Sequence, residues 1–316
     1  MKTRGLAFLF LLVVVLPALA PQDEPASPTP ADPASAATPT PLPDLTPGPD
    51  GKLSQEQMRQ LFRVVADKDI ENQKREHNYT YIYRDVQNKL DGKGQSKSTE
   101  VKTYEVLQIY GEPVQRLIEK DDKPLDAKEA AKEEEKVQKI IDKRKNESEE
   151  DRKKREEKEA KDREEGRKFV REIADAFDFK LVGTELLDGR EAWVIDGEPH
   201  PGFQPHIKEA KFLSKFHGRV WIDKDDLQLS KMDVEAIDTV SLGWVLARIH
   251  KGSRFMLEQT RVNNEVWLPQ HVTFKVDARI ALLKGYNIDG EQTYRDYKKF
   301  RTSSKIVGMA EVKDQK

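Results

Sequence analysis

From Lys180 onward the chain keeps a two-residue rhythm, and that rhythm limits the fold more than anything else in it. Between Trp267 and Leu283, Val272, Phe274, Val276, Ala278, Ile280 and Leu282 fall on one side, and Thr273, Lys275, Asp277 and Arg279 on the other. A period of two describes a strand with one greasy and one wet face. Similar segments precede it: Leu181–Leu187 and Arg190–Ile195 about the turn Asp188-Gly189, then Arg219–Asp223, Leu227–Ala236, Gly243–His250 and Phe255–Val262. Asp-Gly suits the tight turn of a hairpin. A last strand is expected over about Glu291–Phe300. Consecutive strands joined by short turns make an antiparallel meander. A sheet of such long strands twists, and its apolar face needs a cover.

The covers are predicted upstream. Ser54-Gln55-Glu56-Gln57 has the form of a capping box, and Met58, Leu61, Phe62 and Val65 follow as one helical stripe, giving a helix to about Glu71. Phe169, Val170, Ile173, Ala174 and Phe177 form a second stripe, and Ile207, Ala210, Leu213 and Phe216 a third, shorter one. Tyr79, Tyr81 and Tyr83 alternate as a strand, and Val101–Ile118 reads as strand, bend and strand around Gly111 and Pro113. The expected fold class is α+β: a long antiparallel meander curved into an unclosed half β-barrel that clasps helices, with a charged helical insertion.

That insertion is Lys128–Lys168, with 15 acidic and 16 basic residues in 41. Opposite charges at i+3 and i+4 favour a solvated helical arm or hairpin, broken near Asn146-Glu147-Ser148. Interleaved acids and a net charge of −2 argue against nucleic acid as a partner. With no cysteine, the chain excludes a disulfide scaffold, Cys-ligated zinc, thiol catalysis and a lipid-modified N-terminal Cys.

The N-terminus reads as an address. Lys2 and Arg4, the apolar run Gly5–Leu16 and Ala18-Leu19-Ala20 form a secretory signal pattern. This predicts export by the Sec route to the periplasm or cell envelope. Failed cleavage before Pro21 would leave a short N-terminal anchor. Ten of the next 30 residues are Pro, and their five charges are all acidic, so a disordered, extended linker of up to roughly 90 Å is expected over 21–52. The domain organisation is therefore a signal peptide at 1–20, that linker, a folded domain at 53–302 with the insertion at about 126–168, and a tail at 303–316.

No Gly-rich phosphate loop, Gly-x-Ser-x-Gly elbow or His-Glu-x-x-His occurs, and the six histidines show no ligand spacing. No catalytic residue, metal or cofactor is assigned, and a non-enzymatic role is expected. A gap between curved sheet and helices would suit a greasy ligand. Its expected lining is Leu61, Phe62 and Val65 from the first helix with Val272, Phe274, Val276, Ile280 and Leu282 from the long strand. Trp221 joins them if some of the tryptophans turn inward instead of packing the sheet.

The ordering, with Gly218-Arg219-Val220-Trp221-Ile222-Asp223, Val266-Trp267-Leu268-Pro269 and Thr293-Tyr294-Arg295-Asp296-Tyr297-Lys298-Lys299-Phe300, resembles the LolA-like superfamily of periplasmic carriers that sort outer-membrane lipoproteins. It covers roughly 54–125 and 169–302. The resemblance implies a half-barrel that holds a lipid or lipoprotein acyl chain. Envelope-stress sensors and lipid-binding lipoproteins share that half-barrel, which implies the alternative: a non-catalytic interaction or stress-sensing protein that recruits an envelope partner through residues 128–168.

Overall fold

The computed structural model describes residues 46, 48–49, 53–242, 247–280 and 284–300. The signal sequence, most of the linker, Trp244, Leu282 and the C-terminal tail lie outside the described residues, as does the side chain of Ile280.

The strands form one antiparallel sheet. In spatial order it runs β4 (Lys123–Pro124), β3 (Glu112–Lys120), β2 (Ser96–Ile109), β1 (Tyr79–Leu90), β13 (Lys284–Lys299), β12 (Val266–Ile280), β11 (Arg254–Val262), β8 (Leu229–Ala236), β7 (Phe216–Asp223), β6 (Arg190–Pro199) and β5 (Phe177–Leu187). The short β9 (Val240–Leu242) and β10 (Ala247–Ile249) extend it beside the end of β12. The first and last strands of the meander meet at β1 and β13, while β4 and β5 remain unpaired edges, so the curved sheet stays open. This is the expected α+β class.

Cross-strand partners share a face of the sheet. On the concave face lie Trp193, Ile195, Val220, Ile222, Met232, Leu257, Val272, Phe274 and Ile288. Helix α1 (Gln55–Glu76) crosses this face. Its capping box forms as the sequence predicts, and Met58, Leu61, Val64 and Val65 pack on Phe179, Ile195 and Ile222. The helix runs five residues past the expected end. Its inward positions turn polar at Asp69, Asn72 and Glu76, so the apolar stripe stops before the helix does.

Two side-chain amides fasten α1 to sheet backbone. Gln55 donates to the Phe179 carbonyl at 2.7 Å and accepts from its N–H at 3.3 Å, on the free edge of β5. Asn72, buried, does the same for Trp267, at 2.7 Å in both directions. Each amide takes the place of a missing neighbouring strand.

The charged insertion folds as α2 (Ala127–Lys145) and α3 (Glu149–Ala176), broken where expected. The solvated arm needs correction, however. The Val137, Ile140 and Ile141 side chains close over Leu107, Ile109 and Val114 on the convex face of β2 and β3. The Glu133 carboxylate accepts the Leu117 N–H. Ion pairs rim the contact: Glu112 meets Arg144 at 2.5 Å and Arg155 at 3.2 Å, and Glu147 meets Arg155 at 3.0 Å. The end of α3 packs against Ala210 and Leu213 through Phe169, Ile173 and Ala176. Lys208–Lys215 is the expected short helix and is of the 3₁₀ type, in keeping with the three-residue spacing of its stripe.

Candidate functional site

The concave face has three zones. Beneath the first half of α1 it is solid. Leu61 is fully enclosed and Phe62 stacks on Phe179 with ring centroids 4.0 Å apart, so these residues fill the hollow with the protein's own side chains.

The second zone lies on β11, β12 and β13. Phe255, Leu257, Val272, Phe274 and Ile288 form a buried apolar patch edged by Leu229, Met232, Val276, Tyr286 and Tyr294. Every member is a strand residue. Gly290 lies opposite Phe274 in the register, and a Cβ there would overlap the Phe274 ring and the Val86 carbonyl oxygen. Glycine is what lets the ring lie against its neighbouring strand. Leu229 touches both this patch and the core under α1. The structure therefore brings Leu61, Phe62 and Val65 and, of the second predicted group, Val272, Phe274 and Val276 to one concave face, as neighbours and not as opposite walls.

In the third zone the face turns polar. Tyr104 on β2, Tyr83 on β1 and Tyr294 on β13 stand in register across three strands, with centroids 5.0 and 5.5 Å apart. Tyr81 lies 5.9 Å from Tyr294 and 5.2 Å from Tyr297. Beside them Asp85, buried, accepts from Gln87 at 2.7 Å and Gln292 at 3.0 Å, and Tyr294 donates to Gln292 at 2.8 Å. Burial raises the Asp85 pKa from its ordinary value, against the two amide donors. Burial likewise raises all the belt phenols, Tyr104 to about 12. Sequence reasoning registered this rhythm only as strand. The signal was there, because tyrosines at alternate positions of two strands that pair must share a face.

Trp221 is misplaced by the sequence reading. It points to the convex face with Ala192 and Val194, while its neighbour Ile222 points to α1. Its indole N–H donates to Glu185 at 2.6 Å, and Lys231 lies 5.0 Å from its ring centre. Near it a convex cleft of about 320 Å³ is lined with charges that satisfy one another. Arg190 forks onto Asp223 at 2.6 and 2.7 Å and lies 5.7 Å from the Trp267 ring centre. Lys231 pairs with Glu258 at 2.8 Å.

No protein-family model and no curated protein matches the chain. Among solved structures it is similar to a putative outer-membrane lipoprotein-sorting protein domain from Vibrio parahaemolyticus, at 12% identity over 77% of this chain and 95% of that one, with a TM-score of 0.33. It is similar to a LolA superfamily protein from Nitrosomonas europaea, at 8% identity over 82% and 99%, with a TM-score of 0.30. A DUF1329 family protein from Desulfovibrio piger matches at 8% identity over 78% and 95%, with a TM-score of 0.25. The first two bear the description that the sequence motifs resemble.

Proposed function

We propose that this protein is a non-catalytic binder of an acyl chain, exported to the periplasm or envelope by its N-terminal signal. The observation that carries the reading is the strand-only apolar patch of Phe255, Leu257, Val272, Phe274 and Ile288 beside the polar belt. An alkyl chain laid along its half-buried rim of Leu229, Met232, Val276, Tyr286 and Tyr294 gains about 0.8 kcal/mol for each CH₂ removed from water. The solid core under α1 makes Leu61 and Phe62 the floor of the hollow and β11–β13 the wall that meets the chain. The predicted roles of Ile280 and Leu282 remain part of this proposal. Recruitment of an envelope partner through 128–168 would fall to α3, because α2 spends its apolar face on the sheet.

Protein purified without detergent is expected to carry lipid in native mass spectrometry and to bind a fluorescent fatty acid. Phe274→Asp, with folding checked by circular dichroism, is expected to lose at least tenfold in affinity for it. Protein that is empty in repeated preparations and indifferent to fatty acids would defeat the reading.

A further inference from the structure

The two margins of the sheet are guarded unequally. β4 is two residues long and ends in Pro124, and beside it the Glu133 carboxylate holds the Leu117 N–H. β5 is 11 residues long, and only its start is closed, where Gln55 takes the N–H and C=O of Phe179. The register tells which groups stay open. Asp188-Gly189 is a two-residue turn, so Leu187 and Arg190 bond one another, and Leu187, Glu185 and Gly183 turn their backbone groups to β6. Leu186 and Thr184 therefore turn theirs outward. The bulge at Val182 shifts the parity, so Leu181 faces out as Phe179 does. Among the described residues no strand or side chain bonds the outward groups of Leu181, Thr184 and Leu186. Val182 and Leu186, moreover, are 49% and 67% exposed, two of the three large apolar side chains left open on the described surface. A bare margin of this kind is a template for a further strand.

The sequence holds a segment shaped for that place. Over residues 38–48 every second position, 39, 41, 43 and 47, is proline, with Leu45 the one exception. Between them Thr38, Thr40, Leu42, Asp44, Thr46 and Gly48 keep their N–H groups. In extended backbone, alternate residues address opposite edges. One edge of this segment can thus donate at every step, while the other keeps only the Leu45 N–H. Such a strand pairs on one side and cannot hand the pairing on, which is what ends a sheet. The chain also arrives in the right place. The Thr46 carbonyl accepts from Gln57 Nε2 at 3.0 Å, in the same first turn of α1 from which Gln55 reaches Phe179.

We propose that residues 40–44 dock as the last strand of the sheet, antiparallel to β5. The first turn of α1 sits at the start of β5, so the segment leading back from Thr46 follows the margin toward Leu187. Gln55 already fills the slot at Phe179. The step back to Asp44 then meets Leu181, and Leu42 and Thr40 meet Thr184 and Leu186. Leu181, Thr184 and Leu186 pair with Ile195, Trp193 and Glu191 and share their concave side, so Leu42 falls there too, beside Leu186. Pro41 and Pro43 face away from β5 and close the margin to a second copy of the chain. This capping strand stands apart from the acyl-binding reading and does not depend on it.

The test is hydrogen–deuterium exchange on the full chain, read amide by amide. The N–H groups of Leu181, Thr184 and Leu186 are expected to exchange at least tenfold more slowly than in an unstructured peptide, at any protein concentration. Thr40→Pro, Leu42→Pro and Asp44→Pro in one chain remove the three donors and leave the length unchanged. With an unaltered circular dichroism spectrum, that variant is expected to bring the three amides within about threefold of the unstructured rate. Leu45→Pro, on the sealed edge, is expected to leave them protected. Fast exchange at the three amides of the wild type would overturn the proposal. So would protection that the triple variant keeps, or that Leu45→Pro removes as fully as the triple variant does. Protection that fades on dilution would also overturn it, by giving the margin to a second copy.

Discussion

At the scale of single residues, the side-chain amides on α1 do unequal work. Asn72 is buried and is sole partner to the outward N–H and C=O of Trp267. Asn72→Ala would strand two buried backbone groups at about 1–3 kcal/mol each, so a loss of roughly 2–6 kcal/mol is expected in urea denaturation. Gln55 serves Phe179 on a half-buried edge that water reaches, and Gln55→Ala is expected to lose about 1 kcal/mol or less. Equal losses would mean that the amides act only by packing. Gly290 gives a third case. Gly290→Ala is expected to lose about 2–3 kcal/mol, because the Phe274 ring must leave its place. The Trp221 error is legible at the same scale. Val220, Trp221 and Ile222 are all apolar, so alternation marks two faces without saying which is inside. A strand buried on both sides carries no sign.

Among the elements, helix α2 is where charge counting misled. Its composition describes a solvated arm, yet Val137, Ile140 and Ile141 stand at i, i+3 and i+4 and form a complete, short stripe. Three apolar residues suffice because Glu112, Arg144, Glu147 and Arg155 close around them and Glu133 takes a backbone donor from the edge strand. Removing 128–168 is then no neutral edit. It uncovers Ile109 and Val114 and exposes the edge of β3, a route to aggregation. Val137→Asp is expected to lose about 3 kcal/mol or more by burying an unpaired charge, while Lys139→Ala on the exposed side of α2 is expected to change stability by under 0.5 kcal/mol. Equal, small effects from both would return α2 to the solvent. The strands, hairpins and capped helix starts were legible because each has a local cause. The side of the sheet on which a helix docks has none.

For the molecule as a whole, the curvature that puts α1 over the sheet also sets how stability responds to pH. Glu76 is displaced upward to about 7 by burial and by Asp69, and Asp69 and Asp85 are raised too, chiefly by burial. In the unfolded chain these carboxyls titrate near 4. Between those ranges the native state holds more protons than the unfolded one, so unfolding free energy falls as pH rises. For Glu76 the stabilisation is full below about pH 4 and is lost through the region of 7, opposite to the salt-bridged Asp122 and Glu147, whose lowered pKa values favour the native state at higher pH. Glu76 contributes up to about 3 kcal/mol to the difference between pH 5 and pH 8. Urea midpoints of the ligand-free protein are therefore expected to drop across pH 6–8, and Glu76→Gln, neutral throughout, to flatten most of that slope. Wild-type midpoints that rise steadily through pH 6–8, with Glu76→Gln tracing the same curve, would mean that the Glu76 carboxylate stands in water and that α1 does not close over the tyrosines.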